Sequence, residues 1–77
     1  MVIDLAEIRR VAGVTQMQLA AVLNTTQGQI SRIERQSDMR WSTLSAYLTA
    51  LGVDAHIVLE VGEQTMTYNL TAQRRAR

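Results

Sequence analysis

Residues 25–35, TTQGQISRIER, decide how this chain is read. The segment opens with two glutamines around a glycine, continues with arginine, and keeps only two apolar residues, Ile30 and Ile33. At about 100° per residue those two isoleucines define an inward stripe, with Thr26 at its N-terminal edge. Gly28, Ser31, Arg32 and Arg35 face the opposite way, and Gln27 borders them. Gln29 falls nearer the inward flank, where reaching back to cap the helix is its expected role. A helix built only for packing would rarely carry so many polar side chains in two turns.

The flanks supply helices at short intervals. Thr26–Gln29 and Thr15–Gln18 both fit the capping box, Ser or Thr followed three residues later by Glu or Gln. The earlier box opens a helix carrying Leu19, Ala20 and Leu23, so only Asn24 and Thr25 remain for a tight turn. Asn is the non-glycine residue that best tolerates the left-handed backbone such a turn needs. Upstream, Asp4 is placed to cap a helix with Leu5, Ile8 and Ala12 on its apolar side and Gly13 at its end. Downstream, RWSTLSAYLTALG predicts a fourth helix capped by Ser42 and closed by Gly52, with Leu44, Tyr47, Leu48 and Leu51 inward. Trp41, just before that cap, is expected to staple against Ala46.

After Gly52 the period changes from helical to alternating. Ala55, Ile57, Leu59 and Val61 alternate with His56, Val58 and Glu60, and Met66, Tyr68 and Leu70 form a second alternating set. Gly62 and Glu63 suit a two-residue type II′ turn, which sets Leu59 opposite Met66, Ile57 opposite Tyr68 and Ala55 opposite Leu70. A three-residue turn would break that match. An isolated hairpin is marginal in water, so its apolar face must either lie on the helices or meet a second copy. The fold class is therefore mainly α, four short helices followed by a C-terminal β-hairpin. The expected divisions are 1–53 for the helices, 54–70 for the hairpin in the same compact unit, and 71–77 for a mobile basic tail.

Composition bounds the function. Seventy-seven residues make one small domain whose core would gain from a partner subunit. With no cysteine, disulfides, thiolate metal sites and cysteine nucleophiles are excluded. No apolar run approaches a membrane span, and the first ten residues mix acids and arginines in a periodic pattern unlike a signal peptide, so a soluble cytoplasmic protein is expected. All eight basic residues are arginine, yet a net charge of +1 is too small to indicate nucleic acid by itself. No phosphate loop, metal-ligand cluster or nucleophile–base pair is present; His56, beside Val58 and Glu60, reads as a solvated strand residue. Neither an enzyme nor a cofactor or metal is expected.

Two helices joined by so short a turn, the second opening with polar residues, make a helix-turn-helix candidate. Its outward face offers the groups that pair with base edges: glutamine with adenine N6 and N7, arginine with guanine O6 and N7. Glycine at position 28 would let backbone approach a base. The plainer alternative is that this face only meets water. Glycine weighs against it, because it costs up to about 1 kcal/mol against alanine in an exposed helix.

The run LAEIRRVAGVTQMQLAAVLNTTQGQISRIERQ, and residues 4–52 more widely, resembles the Cro/repressor (XRE) type of helix-turn-helix, a lambda repressor-like DNA-binding domain. Its elements G-x-T-Q, Q-L-A, Thr-Gln and I-S-R-I-E-R follow one another here, with Asn24 where glycine is usual and Thr25 where an aliphatic residue is usual. The resemblance implies base reading by Gln27, Gly28, Ser31 and Arg32. It implies phosphate contacts from Gln16, Thr26, Arg35, Arg40 and Ser42, with Gln16 also bracing Gln27, and a structural salt bridge between Arg9 and Glu34. The added hairpin, with Ile57, Leu59, Met66 and Tyr68 for packing or dimerisation, is similar to antitoxins of the HigA and HipB type. That likeness implies a homodimer on a palindromic double-stranded operator, a cognate toxin partner and repression of its own operon. A stand-alone XRE-type regulator without a toxin is the alternative.

Overall fold

The computed structural model describes residues 3–71. Four helices, α1 (Leu5–Val11), α2 (Gln16–Leu23), α3 (Gln27–Arg35) and α4 (Trp41–Ala50), precede two strands, β1 (His56–Val61) and β2 (Gln64–Asn69). Side chains start the first three helices. Asp4 Oδ1 accepts the Glu7 N–H at 3.1 Å. At α2 the capping box is complete: Gln18 N–H donates to Thr15 Oγ1 at 3.0 Å and Thr15 N–H to Gln18 Oε1 at 2.8 Å. At α3 only half of it forms. Gln29 N–H donates to Thr26 Oγ1 at 3.1 Å, while the Gln29 side chain is exposed and makes no return bond among those observed.

Between α2 and α3 the chain reverses at Asn24, left-handed with φ 58° and ψ 47°, and the Thr25 N–H reaches the Ala20 carbonyl at 2.9 Å. That bond satisfies a carbonyl the helix end would otherwise leave open. The expected turn is therefore the observed one.

Leu5, Leu19, Ala20, Ile30, Leu44, Tyr47 and Leu48 form the core, joined by Leu70 from the end of the hairpin. Two expectations at helix ends need correction. Ala12 is exposed, because α1 stops at Val11 and Ala12 is already its C-cap; Arg9, one turn after Leu5, is the buried residue on that face. The fourth helix begins at Trp41, with Arg40 as an N-cap that makes no side-chain bond, so Ser42 lies in the first turn rather than at the cap. That shift moves the staple positions to Met39, which packs against the core, and Leu44. Trp41 is left 54% exposed.

The hairpin has the register set by its alternation: Ile57 faces Tyr68, Leu59 faces Met66, and Val61 pairs with Gln64 across the two-residue turn. Gly62 has φ +61° and Glu63 keeps a negative φ, the signature of a type II′ turn. Leu70 N–H donates to the Ala55 carbonyl at 2.9 Å and Ala55 N–H to Thr71 Oγ1 at 3.1 Å, so Thr71 is buried rather than part of a tail. The basic segment 72–77 lies outside the described residues. Of the two expectations for the apolar face, lying on the helices does not occur along the strands. Ala55 and Leu70 root the hairpin in the core, while Leu59, Met66 and Tyr68 remain 44%, 36% and 52% exposed.

Candidate nucleic-acid interface

Ile30, fully buried, and Ile33, partly buried, dock α3 on the core and fix which side of it looks outward. Gln27, Gly28, Arg32 and Arg35 are exposed on that side, Ser31 is half-buried, and Thr26 caps the start. Arg35 Nη1 donates to Ser31 Oγ at 2.5 Å, one turn apart, which leaves the Ser31 hydroxyl hydrogen available for an outside acceptor. A Cβ added at Gly28 would meet only Thr26 Oγ1, at 4.0 Å, so nothing inside the protein calls for glycine there. Neither α2 nor α3 carries an acid in its first turn, so the positive ends of both helices are left for an anion. Arg40 and Ser42 are exposed at the start of α4.

Behind this face sits a buried polar network. The Arg9 guanidinium donates to Glu34 Oε2 through Nε at 2.7 Å, and its Nη1 reaches the Val14 carbonyl at 3.0 Å. The two side chains are 10% and 6% exposed. Tyr47, wholly buried on α4, donates its hydroxyl to the same carboxylate oxygen at 2.5 Å. Gln16 Nε2 donates to Glu34 Oε1 at 2.9 Å, and Gln27 Nε2 to Gln16 Oε1 at 3.2 Å. One line of bonds thus runs from the ion pair in the protein to the first residue of α3.

The electrostatics follow. Burial alone would push the Glu34 carboxyl up, but hydrogen bonds from Arg9, Tyr47 and Gln16 together outweigh it and hold the group below its ordinary value. The bond to Glu34 raises Arg9 against the effect of burial. Burial, with the neighbouring carboxylate, raises Tyr47 strongly.

Two participants escaped the sequence reading. Tyr47 was legible only as an apolar position, although a buried tyrosine in a chain without phenylalanine signals a hydroxyl with a partner. Arg10, exposed, lines a shallow depression shared with Gln16, Met17 and Gln27, adding a cation beside the glutamine pair. Its signal was weak, since nothing in the local pattern separates Arg10 from any other surface arginine. Among the described residues no group of three His, Cys, Asp or Glu could hold a metal, and no helix is long and apolar enough to cross a membrane.

A model of the helix-turn-helix domain matches residues 2–61. The chain belongs to this helix-turn-helix family. Within it, the chain is 40% identical over 65 residues to the putative antitoxin HigA3 of Mycobacterium tuberculosis (strain ATCC 25618 / H37Rv), covering 80% of this chain and 60% of the relative. It is 34% identical over 65 residues to the putative antitoxin HigA2 of the same organism, covering 82% and 64%. It thus spans less than two thirds of the length of these curated relatives. Two solved structures are similar over nearly their whole length. A DNA-bound antitoxin HigA3 has a TM-score of 0.75 and 37% identity, covering 99% of both chains. A HigA antitoxin described for induced DNA bending by unique dimerization has the same TM-score and identity, covering 87% of this chain and 92% of that one.

Proposed function

We propose that this chain is a DNA-binding antitoxin of a type II toxin–antitoxin system that represses its own operon from a palindromic operator. The observation that carries the DNA-binding reading is the outward face of α3. Its first side chain is braced from behind by Gln16, and its glycine has no internal reason to be there. Gln27, Gly28, Ser31 and Arg32 read bases, while Gln16, Thr26, Arg35, Arg40 and Ser42 hold phosphates on either side. The antitoxin role is supported by the likeness to the HigA proteins; no catalytic step and no cofactor is assigned to the chain, which works in the cytoplasm.

One recognition helix covers few base pairs, so the protein binds as a homodimer on half-sites about 34 Å apart, or a multiple of that. The hairpin supplies the contact, through the face carrying Ile57, Leu59, Met66 and Tyr68, and acts with the helices as one unit. A gel-shift titration on the DNA upstream of its own gene tests the first part. The expected result is a shift at nanomolar protein that random DNA of equal length does not reproduce. Co-expression with the product of the adjacent gene tests the second: rescue of growth and co-purification support the antitoxin. Operator binding without such a partner leaves the stand-alone regulator.

A further inference from the structure

Helix α1 shows opposite characters on its two sides. Arg9 and Arg10 line the depression shared with Gln16 and Gln27, toward the face assigned to DNA. On the other side Asp4, Glu7, Ile8, Val11 and Ala12, spaced by three and four, form one stripe. With Val53, from the loop after α4, they line a groove of about 510 Å³. Its floor is apolar, and Asp4 and Glu7 put two carboxylates at the end where α1 begins. Asp54, exposed, follows Val53 and adds a third acid. Val11 is 82% exposed, the most open large apolar side chain among the described residues. Valine is a weak helix former, so neither packing nor helix propensity accounts for it there.

We propose that this groove is the docking site for the cognate toxin and takes from it a cationic amphipathic helix, apolar side chains on Ile8, Val11 and Val53 and a lysine or arginine against Asp4 and Glu7. This rests on the antitoxin reading above. No residue of α2, α3 or either strand lines the groove, so a helix seated there needs neither the DNA face nor the hairpin. The carboxylates choose the partner: they repel nucleic-acid phosphate and attract a cation. A second copy meeting this surface across a two-fold axis would set the same acids against themselves. The stripe from Asp4 to Ala12 runs about 12 Å along α1, which suits two turns of a partner helix. Side chains three and four apart make the ridges against which such a helix packs.

The test uses the full chain with the product of the adjacent gene, by co-expression and by calorimetry on the purified proteins. Val11→Arg should weaken the toxin complex about tenfold or more and fail to rescue growth. Its melting curve, its operator shift and its mass in sedimentation should stay as in wild type. Ala12→Arg, at the exposed end of the same stripe, is a second variant with the same expected loss. Glu7→Gln should cost about threefold at low salt and nothing at high salt. Wild-type toxin affinity in Val11→Arg and Ala12→Arg overturns the proposal and leaves the antitoxin role in place. A changed mass of the free protein in these variants makes a second copy the occupant, and a lost operator shift makes it DNA; either result overturns the proposal. A wild type that binds no adjacent product overturns the proposal and the antitoxin reading together.

Discussion

The helices and the hairpin solve opposite problems. The helical part buries a charged pair, Arg9 and Glu34, under a tyrosine, and satisfies it completely: among the described residues no buried side-chain polar atom lacks a partner. The hairpin leaves Leu59, Val61, Met66 and Tyr68 in the open, with Val58 half-exposed on its other side. A buried charge is tolerable only when every partner is present, so the first region is specified residue by residue. An exposed apolar face needs only something apolar to cover it, so the second is specified by what it meets. The stability of one lies inside the chain. That of the other, in the proposed dimer, comes from a second copy.

The largest effect is expected where the first region is broken. Glu34→Gln leaves the Arg9 cation buried against a neutral amide, and loss of one partner of a buried pair costs about 3–5 kcal/mol. Urea unfolding of wild type and variant measures it; a difference of a few tenths would remove the ion pair as the centre of the fold. The same pair gives a pH signature. Because Glu34 in the folded protein lies below its ordinary value of 4.5, its contribution is complete above that pH. It is lost as pH falls through the folded value. Wild-type stability should therefore drop steeply on acidification below about pH 4.5, and Glu34→Gln should show a shallower drop.

The hairpin responds differently. Leu59→Arg puts a charge on a surface already open to water, so the monomer should keep its helices and most of its melting point. Association should be lost instead, because an unpaired guanidinium would be buried at the centre of the dimer contact. Sedimentation at tens of micromolar gives the outcome, with circular dichroism as the control. A dimer that survives Leu59→Arg and Met66→Arg together would place the contact elsewhere.

The helices were legible because each carries its own punctuation. Thr15 with Gln18, Thr26 and Asn24 bind neighbours within a few residues, and local chemistry needs no tertiary knowledge. The hairpin register was legible for the same reason, since Gly62 permits one turn and that turn permits one pairing. What local patterns could not fix was decided by distant contacts. Ser42 loses the cap because Met39 and Leu44 pack two residues out of step with the polar signal. The Gln16–Glu34–Tyr47 linkage joins residues 13 to 18 positions apart on three helices, which no period of two or 3.6 encodes. The fate of the apolar strand face was left open by the sequence, because alternation says that a face is buried without saying by what.

Within the helical part the outward face can be separated from the frame that carries it. Arg32 is exposed and contributes nothing visible to the core. Arg32→Ala should leave melting unchanged and cost roughly 1–3 kcal/mol on the operator, with preference relaxed at one base pair. An equal loss on random DNA would make Arg32 a phosphate contact.

Gly28 gives a small expected change in stability and the sharpest division between frame and face. Its position is helical and open, and an added side chain would meet nothing closer than the Thr26 hydroxyl at 4.0 Å. Within the protein, then, Gly28→Gln should be favourable, by up to about 1 kcal/mol, since glycine is the poorer helix former. On DNA, in the proposed docking, the same side chain would fill the space between the α3 backbone and a base. Melting point and operator affinity should move in opposite directions in one variant. If α3 only faced water, the melting point would rise and binding would stay as it was. A thermal melt and a gel-shift titration on the same preparation separate the two, because no change confined to folding raises stability while weakening a contact it does not touch.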